Sequence, residues 1–135
     1  MQVCEIKTVV MQRNMDLIRE LLLKLESDQH LDGRKWVQYE APEELGITDH
    51  SAEEVGYHLS LLIQEGFVRG SVRTDIEVIP PVSMLTWQGH ELLDNIRDAG
   101  IWGKTKERLK GLPSVAISII GEVAKAEIKT RLGLP

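Results

Sequence analysis

The run Ser51-Ala-Glu-Glu-Val-Gly-Tyr-His-Leu-Ser-Leu-Leu-Ile-Gln-Glu-Gly-Phe-Val-Arg69 decides how the chain is read. Ser51 and Glu54 have the spacing of a capping box, in which the serine hydroxyl takes the Glu54 N–H and the glutamate returns to the Ser51 N–H. Val55, Leu59, Leu62 and Ile63 then recur at helical steps and predict a buried stripe. Gly66 suits the end of that helix. Phe67-Val68-Arg69 changes at once to strand-like composition. A well-capped helix is thus delivered directly into a strand.

Upstream, Pro42, Glu43, Glu44 and Gly46 predict a short helix with proline at its first position and glycine at its stop. Lys35–Tyr39 is β-prone and short, so it is expected as an edge strand. Asn14 caps a first helix reaching about Glu26, with Met15, Ile18, Leu22 and Leu25 on its buried face and Leu17 and Leu21 widening it. Downstream, the strand from Phe67 to Arg73 returns as Val82–Leu85 after an irregular tip containing Pro80-Pro81. Thr86 caps a helix from Trp87 to about Arg97. A short helix follows from Ile101 to about Lys110, and Ser114 caps a last one through about Leu132.

This order predicts a mainly α fold with a small β-hairpin, a winged helix-turn-helix domain carrying a C-terminal helical extension. Residues 1–13 read as an N-terminal tail, 14–98 as the winged-helix domain and 101–132 as the extension, a possible oligomerisation element. Phe67 and Val68 would anchor the hairpin to the capped helix.

Several blocks also carry a family resemblance. They are Met11–Glu26, His50–Leu59, Leu62–Val68, Leu85–Asp94 and Ile101–Lys106. Together they resemble a bacterial and prophage family designated only as domain of unknown function 2513, over about Met11 to the end of the chain. The resemblance implies architecture and a prophage-like context. It brings no activity with it. Residues 1–10 lie outside it, which makes Met11 a candidate alternative start.

With 135 residues, 42% hydrophobic and 27% charged, the chain can fill one core and is not of disordered composition. The one cysteine, Cys4, excludes an internal disulfide and a thiolate zinc site. No run approaches the roughly 18 apolar residues of a membrane span. No secretory signal is evident, and the expected setting is cytoplasmic.

Charge tests the nucleic-acid reading that such a fold invites. A winged helix-turn-helix usually lays its third helix in the major groove, and phosphate affinity comes from Lys and Arg. The outward positions of the capped helix include Glu53, Gly56, Tyr57, Ser60 and Gln64, with no base among them. Residues 14–66 hold four Lys/Arg against twelve Asp/Glu, a net of −8. Such a surface repels a polyanion. Glu53, Tyr57, Ser60 and Gln64 are therefore the candidate protein-interaction face. Arg69 and Arg73, with Tyr57 and Gln64, are the candidate contacts of the alternative, a prophage-type DNA-binding regulator.

Residues 104–131 reverse the sign, with seven bases against three acids. Ile117, Ile120, Ala124 and Ile128 form an apolar stripe there, with Gly121 beside it to allow close approach. Val115, Ile119 and Val123 add a second apolar side. Leaving such side chains in water costs about 1.5–3 kcal/mol each. The stripe is therefore a candidate surface for self-association or for a different protein. Burial on the chain's own helices is the competing outcome.

No catalytic motif emerges. His30, His50, His58 and His90 have no zinc-protease spacing, and the last three read as turn or helix-surface residues. The glycines form neither a P-loop nor a dinucleotide fingerprint. Trp36, Trp87 and Trp102 read as packing residues, with Trp87 and Trp102 pinning the two helices after the hairpin. The expectation is a binding module without enzymatic activity, cofactor or metal, whose partner is a protein or a second copy.

Overall fold

Asn14 opens the first helix through its side chain. Its Oδ1 accepts the N–H groups of Asp16 (3.0 Å) and Leu17 (3.2 Å), and α1 runs Met15–Ser27. The computed structural model describes residues 12–72, 77–112 and 115–135. Most of the N-terminal tail, including Cys4 and Met11, lies outside the described residues, as do Arg73 and Ser114.

α1 buries Leu17, Ile18, Leu21, Leu22 and Leu25, the widened stripe read from sequence. A 3₁₀ turn at Pro42–Leu45 takes the place of the short second helix and stops at Gly46, whose φ is 72°. Helix α2 runs Ala52–Gln64 with both halves of the capping box formed. Strands β1 (Val68–Gly70) and β2 (Val82–Leu85) pair antiparallel, with Val68 opposite Leu85 and Arg69 opposite Met84. Helix α3 spans Trp87–Ile96 behind the Thr86 cap, α4 spans Ala99–Arg108 and α5 spans Ile117–Arg131. The result is mainly helical with one small hairpin, in winged helix-turn-helix order. α1 lies at the centre, touching α2, α3 and β2.

The expected edge strand at Lys35–Tyr39 shrinks to one bridge, Val37 to Val82. The Gln38 side chain explains the rest. Its Nε2 donates to the Ile79 carbonyl at 2.6 Å, so a side-chain amide replaces the next rung of the ladder.

Several side chains sit otherwise than their spacing suggests. His58, expected on the helix surface, is buried. Gly56, counted among the outward residues, lies under the returning hairpin. A Cβ there would stand 1.9 Å from the Val78 carbonyl oxygen, so the backbones meet where only glycine fits. Trp36 and Trp87 are not core residues, being 52% and 76% exposed. Trp102 is buried alone of the three, and its partner is α1 rather than Trp87. Its Nε1 donates to Asp16 at 2.7 Å, and Lys106 joins the same carboxylate at 3.0 Å.

The last helix is capped without a side chain. Ala116 is its N-cap, in place of the expected Ser114. α5 packs against α3 and α4, so Ile120 and Ala124 are buried in the chain's own core, with Ile117 and Ile128 packed at its margin. This corrects the reading of the stripe as an oligomerisation surface, because its centre has no area left for a second molecule. Gly121 is buried too, but a Cβ there would meet Leu92 at an ordinary 3.8 Å. Close approach therefore does not require glycine at that position.

Two further ties hold the helices together. The Arg19 guanidinium donates to the carbonyls of Ile96 (2.7 Å) and Arg97 (2.6 Å), occupying acceptors that the end of α3 leaves open. Arg97 in turn grips Glu26 with two bonds of 2.7 and 2.6 Å.

Candidate interaction surface

Positions 53, 57, 60 and 64 advance by four, three and four, which places them on one side of α2. With one flank of α2 under the hairpin and Val55, Leu59 and Leu62 in the core, this is the side that remains. Glu53 and Gln64 are exposed, while Tyr57 and Ser60 are half-buried. Tyr57 sets its ring edge-on to His58, with centroids 5.4 Å apart, so it is a braced aromatic rather than a swinging one.

The charged residues at the two ends of this side are acidic. Glu53 and Glu54 stand in the first turn of α2, where the helix dipole favours them. Glu54 accepts from His50 Nδ1 at 3.1 Å and from the Ser51 N–H at 3.3 Å. The His50 bond leads in holding its carboxyl below the ordinary value, with the Ser51 N–H adding to it. Glu65 is exposed at the other end. No Lys or Arg lies in α2.

Arg69 belongs to a different surface. It leaves the outer side of the hairpin beside Met84, donates to the Gly33 carbonyl at 3.1 Å, and lies 5.9 Å from the centre of the Trp36 ring. Trp36, Arg69 and Met84 thus form an exposed aromatic-cationic patch that periodicity alone did not reveal. Arg73, its expected companion, falls outside the described residues.

A cleft of about 610 Å³ adjoins the C-terminal end of α2. Ile18, Leu61, Phe67, Leu92 and Ile117 line it, with Glu65 and Glu91 among its polar residues. The cleft joins four helices distant in sequence, α1, α2, α3 and α5, so no local pattern points to it. Trp87, on the first turn of α3, donates from its indole N–H to Glu91.

Among the described residues, no three of His, Cys, Asp and Glu gather as a metal set. No helix among them is long and apolar enough to cross a membrane.

The family model described as "Hypothetical protein (DUF2513)" matches residues 12–116. The match begins next to Met11 and ends at the residue that caps α5. An uncharacterised protein of Haemophilus influenzae is 36% identical over 124 residues, covering 90% of this chain and 99% of that protein. No solved structure matches.

Proposed function

The chain belongs to the DUF2513 family, and we propose that it is a winged-helix binding module whose α2 face engages a protein rather than DNA. The observation that carries this reading is the side chain set of α2. The helix that would enter a major groove offers Glu53, Tyr57, Ser60 and Gln64 and no cation. A polyanion gains nothing from such a face, and its approach is opposed by the acidic first turn. A protein partner gains a braced tyrosine and two hydrogen-bonding side chains, with carboxylates at both ends to select for basic residues.

Affinity capture from the source cells tests this. A protein retained by the wild type and lost with Tyr57→Asp and Gln64→Ala, but kept by an Ile119→Ser control on α5, supports the reading. Equal retention by all three contradicts it.

The alternative is a prophage-type regulator that binds DNA through Tyr57, Gln64, Arg69 and Arg73. The exposed Arg69 beside Trp36 is the feature in its favour. Salt-sensitive binding of duplex DNA, lost with Arg69→Ala and Arg73→Ala, would establish it in place of the first reading.

A further inference from the structure

The end of α5 holds a rigid apolar knob. The Gly133 N–H bonds the Thr130 carbonyl at 3.1 Å, and the Leu134 N–H bonds the Lys129 carbonyl at 2.8 Å. With φ of 71° at Gly133, this is a Schellman turn. It fixes the backbone yet leaves Leu132 66% and Leu134 55% exposed. Two leucines are therefore presented in water on a turn whose ordering is already complete. Lys129 lies beside them, exposed and without an ion pair among the described residues, and Arg131 reaches Asp98 at 3.2 Å.

The cleft beside α2 is complementary to this knob. Its apolar wall accepts leucine side chains, and Glu65 and Glu91 supply the sign opposite to Lys129. Arg13 also lines the cleft and keeps its charge while donating to the Val115 carbonyl at 2.9 Å, so two carboxylates stand against one guanidinium and the lining stays acidic. The chain cannot fill its own cleft. Ile117 at the start of α5 lines it, whereas the knob stands one helix length away, about 22 Å.

We propose that the Leu132–Leu134 turn of one copy docks in the α2–α3 cleft of a second copy, with Lys129 facing Glu65 and Glu91. The inference rests on the reading of the chain as a protein-contact module, and it names one such partner and its site. It moves self-association from the stripe centred on Ile120 and Ala124 to a knob and a cleft that folding leaves uncovered. Preordering of the turn lowers the entropy lost on docking.

Sedimentation equilibrium of the full chain tests this. The average mass is expected to rise above the monomer with concentration, more at low salt than at high salt. Leu132→Asp or Leu134→Asp is expected to weaken association about tenfold or more. Glu65→Lys with Glu91→Lys should weaken it as well, and so should Lys129→Glu. Mixing those two charge variants should restore association, because the acidic knob then meets a basic cleft. A monomer at every concentration overturns the inference, as does association that ignores both knob and cleft variants. Neither result touches the α2 reading, which fails separately if capture is insensitive to Tyr57 and Gln64.

Discussion

His58 Nε2 accepts the backbone N–H of Asn14 at 2.7 Å, while His58 Nδ1 lies 2.7 Å from the Glu54 carbonyl oxygen. A carbonyl can only accept and an amide N–H can only donate, so the ring hydrogen sits on Nδ1. The buried imidazole joins the start of α1 to the first turn of α2. It therefore fixes how the helix bearing Tyr57 and Gln64 sits on the central helix.

Replacing His58 by alanine removes the partner of the Asn14 N–H and leaves a gap where the buried ring stood. The expected loss is about 1–3 kcal/mol, read from urea unfolding. A loss below a few tenths would mean that the imidazole does not join the two helices.

Two glycines separate close packing from mere tolerance. Alanine in place of a helical glycine gains about 1 kcal/mol of intrinsic propensity. At Gly121 there is room for the methyl, so Gly121→Ala is expected to stabilise by about that much. At Gly56 the methyl would strike the Val78 carbonyl, and overpacking of about 1–3 kcal/mol outweighs the gain. Gly56→Ala should therefore destabilise. Thermal unfolding of the two variants checks the opposite signs.

Acid should loosen the contacts around α1. Burial pushes the Asp16 carboxyl up, but bonds from Trp102 and Lys106 outweigh it and hold the group below its ordinary value. The Arg97 bonds hold Glu26 down. At Asp28, burial again opposes and is outweighed by the Tyr39 hydroxyl and the His30 N–H. A depressed folded pKa contributes stability above the unfolded value and loses it as pH falls through the folded one. Stability from these groups should be constant above about pH 5 and decline below about pH 4. Arg97→Gln should lower the plateau and flatten the decline, as followed by urea midpoints across pH.

Changing the sign of the α2 face should change its partner. Glu53→Lys with Gln64→Arg places two cations where a major-groove helix carries them. Salt-sensitive duplex binding is expected to appear in this double variant, measured by fluorescence anisotropy. No gain at low salt would show that charge is not what keeps DNA from this face.

Much of this was legible in sequence because the signals were local. The Ser51–Glu54 box, the Asn14 and Thr86 caps and the leucine stripe of α1 each depend on residues within one or two turns. What was not legible depends on distant partners. His58 looks like a surface residue until Asn14, far away in the chain, is set against it. Trp87 and Trp102 have similar local surroundings, yet only Trp102 finds a carboxylate on another helix. The α5 stripe was seen correctly as apolar, but which molecule covers it depends on α3 and α4. The cleft is assembled from four helices and has no local signature.

The most direct test of the central claim is a low-salt titration of a labelled random-sequence duplex with the wild-type chain, followed by fluorescence anisotropy. An α2 face without cations predicts no saturable binding. Saturable binding that weakens steeply with added salt and disappears with Arg69→Ala and Arg73→Ala would contradict it.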